Sequence, residues 1–437
     1  MDDIAAQAAA VRPSRQQIAW QELEFIAFAH FGMNTFTDRE WGEGKEDPKQ
    51  FNPTDFDARQ WAVVLHEAGV KLLILTAKHH DGFCLWPSKY TEHCVRNSPW
   101  REGKGDVVRE VANACRAAGL KFGFYLSPWD RHEPSYGDSP KYNEHFKNQL
   151  RELLTQYGPV SEVWFDGACA EGPNGKRQVY DWDGYWKLIR ELQPKAVISI
   201  VGPDVRWCGN EAGTSRESEW SVVPLPAGGY TQFDCTAADL GSRDALAKAV
   251  ANDAKLVWYP AQVDTSIRPG WFYHASDDDK VRSLDDLLNV YYGAVGGNAQ
   301  LLLNVPPDRR GRIHENDVKR LHELGDVLRA TFAVNLADRA KTTSPSATIR
   351  EYDLGEAKTF NVVMLQERIA QGQRVEEFHI DVWTDGDWKE IAHATTIGYK
   401  RLLRIPETTT TKVRVRITRS RLSPSLSAFG LFHAAHN

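Results

Sequence analysis

The sequence reads Asp57-Ala-Arg-Gln-Trp-Ala-Val-Val-Leu-His-Glu-Ala-Gly-Val-Lys-Leu-Leu-Ile-Leu-Thr76 where a helix pattern passes into a strand pattern. Apolar side chains recur with helical spacing from Trp61 to Ala68, and Gly69 is the residue type that commonly ends a helix. The apolar run from Leu72 to Leu75 is typical of a strand buried on both faces. A helix followed closely by a buried strand is the building unit of a parallel α/β sheet.

A second copy of this unit begins at Asp106, with its helix pattern ending at Gly119 and its strand pattern following. In all, eight strand patterns alternate with helix patterns before residue 340, which predicts an α/β fold of the (β/α)8, or TIM-barrel, type. Frequent glycine and proline between residues 203 and 253 predict that the barrel is irregular there. The predicted strands are 25–31, 72–76, 122–127, 162–165, 196–201, 219–223, 255–259 and 300–305.

A different pattern begins after residue 340. The segment Thr342–Ser346 is typical of a linker, and beyond it apolar and polar residues alternate with a period of two, as from Val413 to Thr418. Asp385-Gly386 and Gln371-Gly372 are turn signals between strands at spacings suited to antiparallel pairing. The sequence therefore predicts two domains, a barrel over 1–340 and a C-terminal antiparallel β-sandwich over 341–437.

Composition limits the classes of function. The chain of 437 residues is 42% hydrophobic and 26% charged, as in a globular protein, and its net charge of −6 does not favour nucleic acid as a partner. No apolar run is long enough to span a membrane, and the first residues lack a signal-peptide pattern. We therefore expect a soluble protein with no membrane partner, cytoplasmic by default, or periplasmic or secreted if a signal peptide has been removed. The oligomeric state is open.

In a parallel barrel the functional residues lie just beyond the carboxyl ends of the strands. Asp166 follows one predicted strand, where its carboxylate would be held as a nucleophile or base; an ordinary Asp-Gly turn is the alternative. Thirteen of the 15 tryptophans lie between Trp20 and Trp271, as core or as flat surfaces for sugars. Paired carboxylates beside aromatic surfaces fit glycoside cleavage, and a retaining mechanism needs the two carboxyl groups about 5–5.5 Å apart.

His79 and His80 follow another predicted strand and precede Asp81. Adjacent side chains at a strand end point in opposite directions, so we do not expect both histidines to bind one metal ion. A neutral imidazole offers one donor and one acceptor, which suits a sugar hydroxyl. We therefore expect sugar recognition without metal or cofactor. The alternatives are structural hydrogen bonding by the two histidines and a metal-assisted hydrolase built on these three residues.

Four motifs stand out when the chain is taken as a whole: Phe25-Ile-Ala-Phe-Ala-His-Phe-Gly-Met-Asn-Thr-Phe-Thr-Asp-Arg-Glu-Trp41, Ala77-Lys-His-His-Asp-Gly-Phe83, Glu162-Val-Trp-Phe-Asp-Gly167 and Leu302-Leu-Asn-Val-Pro-Pro-Asp308. They closely resemble motifs of the α-L-fucosidases of glycoside hydrolase family 29. The segments 207–213, 216–220 and 266–273 are similar to the branch of that family that prefers α-1,3/1,4-linked fucose.

The resemblance implies a retaining exo-glycosidase that removes terminal α-L-fucosyl residues from oligosaccharides through a covalent fucosyl-Asp166 intermediate. It favours Glu211 as the general acid/base, in a Gly-rich loop that can reach over the site, with Glu217 and Glu219 as competitors. Gln262 stands where a glutamate is expected, a change that removes a charge able to affect pH dependence or linkage preference. The substrate-binding residues that it implies are His30, Glu40, Trp41, His79, His80, Tyr125 and Trp271.

Two other functions stay open at this point. One is a catalytically inactive carbohydrate-binding protein, against which the presence of both candidate carboxylates argues. The other is a fucosidase with broader linkage specificity. The expected partner in the favoured case is a fucosylated oligosaccharide that serves as substrate.

Overall fold

A parallel sheet of eight strands forms a nearly closed barrel in the computed structural model, which describes residues 2–435. Helices surround the sheet, and a bridge between Ser199 and Val205 brings its two ends together. The first ten strands are β1 (Phe25–Ala29), β2 (Leu72–Lys78), β3 (Lys121–Leu126), β4 (Glu162–Phe165), β5 (Val197–Ile200), β6 (Arg206–Trp207), β7 (Val222–Leu225), β8 (Lys255–Trp258), β9 (Ala261–Ser266) and β10 (Gln300–Asn304). The barrel order is β5-β4-β3-β2-β1-β10-β9-β6.

Residues 2–435 contain ten α-helices. The helix patterns that begin at Asp57 and Asp106 do form helices. Each aspartate caps the N-terminus of its helix, because its side chain accepts a hydrogen bond from a backbone N–H. The helices are α1 (Asp2–Ala10), α2 (Arg15–Gln21), α3 (Met33–Thr37), α4 (Ala58–Glu67), α5 (Val107–Ala118), α6 (Ser139–Gln156), α7 (Trp182–Leu192), α8 (Arg243–Val250), α9 (Leu284–Ala294) and α10 (Glu315–Phe332).

Two of the predicted barrel strands are wrong. The predicted strands 219–223 and 255–259 correspond to β7 and β8, which pair antiparallel with each other outside the barrel. Their places in the barrel are taken by β6 and β9. Apolar content did not reveal β9, because its alternate residues Gln262, Asp264 and Ser266 are polar and buried.

The second domain is an antiparallel β-sandwich with its own hydrophobic core, which includes Val363, Phe378 and Val413. Its two longest strands continue through register shifts, so residues from both halves of each strand reach this core. The strands are β11 (Lys341–Ser346), β12 (Ile349–Glu367), β13 (Val375–Thr384), β14 (Asp387–Ala394), β15 (Arg401–Ser420) and β16 (Leu426–Phe432). The predicted fold class, a partly irregular TIM-like barrel followed by an antiparallel β-sandwich, is confirmed.

Two local expectations in this domain are corrected. The predicted linker Thr342–Ser346 lies in the fully exposed edge strand β11, which pairs with β12 through a register shift near Pro345. Gln371-Gly372 joins β12 and β13, which pair with other strands and not with each other. Asp385-Gly386 does connect an antiparallel pair, with both residues at positive φ.

The two domains meet at the segment 217–221, which follows β6 in the chain. The side chain of Gln373 bonds the backbone at both Glu219 and Ser221, and Arg401 donates to the carbonyl oxygen of Glu217. Because α10 ends at Phe332 and β11 begins at Lys341, we keep the division at 340/341 as a prediction. Within residues 2–435, no helix combines the length and apolar character needed to cross a lipid bilayer.

Candidate active site

A cavity of about 540 Å³ opens at the carboxyl ends of the barrel strands. The two favoured catalytic residues and the seven predicted substrate-binding residues all line this one cavity. They are Asp166, Glu211, His30, Glu40, Trp41, His79, His80, Tyr125 and Trp271. The remaining lining includes Phe28, Trp164, Trp207 and Asp264, none of which was predicted.

Asp166 follows β4 and its side chain is 25% exposed. The hydroxyl of Tyr125 donates to Oδ2 at 2.9 Å, and the backbone N–H of Ala168 donates to Oδ1 at 2.8 Å. Burial raises the pKa of Tyr125 well above its usual range, so this hydroxyl keeps its proton and remains a donor. The carboxylate is thus oriented from two sides in the manner that a nucleophile requires.

The three glutamates that competed for the acid/base role occupy different surroundings. Glu211 lines the cavity. Partial burial and the charges of Asp166 and Glu40 raise the pKa of its carboxyl group, and together they outweigh the hydrogen bond to Trp271, which lowers this pKa. Glu219 is fully buried in ion pairs with Arg206 and Arg216, outside the cavity lining. Glu217 is exposed near the second domain. Of the three, the geometry brings only Glu211 to Asp166.

His30 and His79 are buried and neutral. Burial lowers the pKa of His30 to about 3 and that of His79 well below its usual range. Nδ1 of His30 donates to Oδ1 of Asn304 at 2.8 Å, which leaves Nε2 as an acceptor. Nδ1 of His79 accepts from the amide of Asn34 at 3.3 Å, which leaves Nε2–H as a donor. The two rings therefore offer complementary groups to a sugar hydroxyl.

The expectation that His79 and His80 point apart is wrong. Their ring centroids are 4.2 Å apart and both rings line the cavity, because the two residues lie beyond the end of β2, where the alternation of a strand no longer applies. Nε2 of His80 lies 3.6 Å from Oδ2 of Asp166. His79, His80 and Asp166, instead of the predicted Asp81, bring one potential ligand atom each within 4.8 Å of one another, so chelation tests the metal-assisted alternative on this set.

Glu40 acts on the site through the loop that follows β9. Its carboxylate accepts the backbone N–H of Trp271 at 2.8 Å and that of Phe272 at 3.2 Å. The ring of His274 bonds the same carboxylate at 2.7 Å. Trp41 is 54% exposed and packs edge-on against His80, so its indole forms an open wall of the cavity. This arrangement fixes Trp271 on one side and leaves Trp41 accessible on the other.

Sequence reasoning missed Phe28 and Trp164, although a signal was present. Each lies on a strand, two residues before a predicted site residue that directly follows the end of that strand, and residues two apart along a strand share one face. Gln262 lies beneath the cavity and is not in its lining. Its side chain accepts from Trp164 at 2.7 Å and donates to Glu162 at 2.9 Å, so it bears on the cavity through Trp164.

Comparisons with known proteins agree with this geometry. The profile of the family described as Alpha-L-fucosidase matches residues 13–332, and that of a NedA-like, galactose-binding domain matches 335–415. Alpha-L-fucosidase 1 of Arabidopsis thaliana is 41% identical, over 96% of this chain and 87% of its own length.

Solved structures give the same answer. A chain from Bacteroides ovatus is 53% identical with a TM-score of 0.94, over 99% of this chain and 76% of its own. A Ruminococcus gnavus GH29 fucosidase in complex with fucose is 30% identical with a TM-score of 0.83, over 98% of this chain and 95% of its own. The chain belongs to the α-L-fucosidases, the glycoside hydrolases of family 29.

Proposed function

We propose that this α-L-fucosidase is a retaining exo-enzyme that releases terminal fucose from α-1,3/1,4 linkages through a covalent fucosyl-Asp166 intermediate. The observation that carries the proposal is that Asp166 and Glu211 line one cavity together with neutral histidines and aromatic walls. A pair of carboxyl groups in different surroundings is what acid/base and nucleophilic roles on one sugar require.

The first half of the reaction uses both carboxyl groups. Asp166, oriented by Tyr125 and Ala168, attacks the anomeric carbon. Glu211, whose pKa is raised, gives its proton to the departing oxygen, and the aglycone leaves with that proton. In the second half Glu211 takes a proton from water, and the resulting oxygen nucleophile displaces Asp166 to release fucose.

The terminal sugar is held by the remaining predicted residues. His30 accepts and His79 donates hydrogen bonds, while His80 faces the hydroxyl nearest to Asp166. The indoles of Trp41 and Trp271 cover the apolar parts of the sugar, and Glu40 keeps the loop of Trp271 in place.

The nucleophile is tested with the variant Asp166→Asn. We expect turnover of an aryl fucoside to fall by about three orders of magnitude or more while the thermal unfolding curve is unchanged. Proton NMR of the first product of the wild-type protein should show the α-anomer of fucose. Near-normal turnover of the variant, or release of the β-anomer, would contradict the assignment.

Linkage preference is tested with a panel of α-1,2, α-1,3, α-1,4 and α-1,6 fucosides. The proposal predicts that kcat/KM is highest for branched α-1,3 and α-1,4 substrates. Comparable kcat/KM values for all four linkages would favour the fucosidase of broader specificity. An absence of turnover on every substrate would favour a binding protein.

A further inference from the structure

Asp264 is a fourth carboxyl group in the cavity, beside Asp166, Glu211 and Glu40, and neither the sequence motifs nor the mechanism above gives it a role. It lies in the middle of β9, 3% exposed, and lines the cavity together with Asp166 and Glu211. The indole N–H of Trp207, another lining residue, donates to its Oδ1 at 2.7 Å. Among residues 2–435, no lysine or arginine forms an ion pair with it.

Asp264 has no cation partner, unlike three other buried acids of the described residues. Asp130 pairs with Lys78, Glu219 with Arg206 and Arg216, and Asp317 with Arg268. A buried carboxylate without such a partner is destabilising, so an unpaired one is retained either neutral or for function.

Four carboxyl groups line this cavity and cannot all be ionised at low cost. Glu40 is held by two backbone N–H groups and the ring of His274, which leaves Asp166, Glu211 and Asp264 to compare. Asp166 receives two donors and is partly exposed, and Glu211 is exposed and bonded to Trp271. Asp264 receives the Trp207 donor and is the most buried of the three. Glu211 carries the proton of the general acid, and a second proton in the cavity is held more favourably by Asp264 than by Asp166.

We propose that Asp264 is a specificity-determining residue that is protonated at the working pH and donates its O–H to an oxygen of the terminal sugar. The proposal rests on the proposed function, because it takes the sugar to bind in this cavity. A neutral carboxylic acid can replace a hydroxyl or amide donor, which a carboxylate cannot do.

The electrostatics of the site point in the same direction. The pKa of Asp264 is raised to about 7, chiefly by burial and further by the charges of Glu211 and Asp166. The hydrogen bond from Trp207 lowers this pKa but does not outweigh them. Cys208 also lies close to Asp264, and burial raises the pKa of its thiol to about 12, so this thiol stays neutral. Below about pH 7 Asp264 carries the donor, and above it the resulting carboxylate can only accept hydrogen bonds, so the bond to an acceptor oxygen of the sugar is lost.

The test measures the dissociation constant of free fucose by calorimetry between about pH 5 and about pH 9. For the wild-type protein we expect the constant to rise about tenfold as the pH passes through the pKa of Asp264. Asp264→Asn, whose amide donates at every pH, should bind as tightly as the wild type at low pH and show no such rise. Asp264→Ala should bind about tenfold more weakly at low pH.

Glu162→Gln is the matched control. Glu162 is a buried carboxyl group whose pKa is also raised to about 7, but it lies beneath the cavity and bonds Trp20, Ser199 and Gln262. This variant should retain the wild-type pH dependence of fucose binding. Thermal unfolding shows which variants are folded, and if the alanine variant is not, the asparagine variant carries the test alone.

The outcomes separate the inference from the proposed function. A wild-type dissociation constant that is flat through neutral pH, or an asparagine variant that keeps the wild-type rise, overturns the role of Asp264. If fucose fails to bind the wild-type protein at any pH, the site itself is misassigned and the proposed function falls first.

Discussion

At the scale of single residues, the division of labour between the carboxyl groups follows from their surroundings. Asp166 is oriented by two donors, whereas Glu211 sits where burial and two like charges favour its protonated form. The same side-chain chemistry at Glu219 serves structure, because two arginines neutralise it in the interior. Position along the sequence does not distinguish these glutamates, but their neighbours do.

The role of Glu211 predicts a dependence on the leaving group. In Glu211→Ala, kcat on natural oligosaccharides should fall by about 10²–10⁴, since no acid protonates the departing oxygen. Aryl fucosides with good leaving groups should lose much less in the first step, and added azide should speed their turnover by replacing water in the second. Glu217→Ala is the control, because this exposed side chain lies outside the cavity lining.

A contrary result has a clear meaning. Equal loss on both substrate classes without rescue by azide would remove Glu211 from the acid/base role. A large loss in the Glu217 control would transfer that role to the exposed glutamate.

At the scale of elements, the loop that carries Trp271 depends on the bonds of His274 to Asp38 and Glu40, which respond to pH. His274 bonds Asp38 and Glu40, and these bonds and charges outweigh burial and raise the pKa of its imidazole above the usual 6.5. A raised pKa in the folded state contributes stability that is fully present below the unfolded pKa and lost as the pH rises through the folded value.

We therefore predict that His274→Asn lowers the melting temperature more at about pH 5.5 than at about pH 9. The loss at low pH should be small, because the pair is partly exposed. Differential scanning fluorimetry across this range measures the difference between variant and wild type. A difference that is constant, or that grows toward high pH, would show that the pair does not act through its charge.

Elements also show how far the sequence could predict this site. The strands that are apolar on both faces were predicted near their observed bounds, and with them the positions of His30, His79 and Asp166. β9 was missed because its inward residues are polar, and Asp264 was missed with it. The approach of His79 to His80 depends on backbone geometry beyond a strand end, which periodicity does not describe.

At the scale of the whole molecule, both domains hold the loop that carries Glu211 in place. The segment from Trp207 to Val222 carries Glu211, and its far end is bonded by the second domain. The buried side chain of Gln373 makes two of these bonds, to Glu219 and Ser221.

Removal of the Gln373 side chain should therefore affect both stability and catalysis. For Gln373→Ala we expect the free energy of unfolding to fall by about 1–3 kcal/mol, because the buried N–H of Ser221 loses its partner, whereas the carbonyl of Glu219 keeps its bond from Asn298. Turnover of oligosaccharides should fall with it. Chemical denaturation and kcat measure the two effects, and Gln371→Ala, at an exposed position, is the control. An unfolding energy equal to that of the control would show that this contact is dispensable.

The bonds that Gln373 and Arg401 make to the barrel have a practical consequence for protein engineering. A chimera that joins this barrel to the sandwich of a relative would inherit mismatched partners for the loop of Glu211. When domains are exchanged between relatives, the segment 217–221 and the residues Gln373 and Arg401 that bond it should come from the same parent.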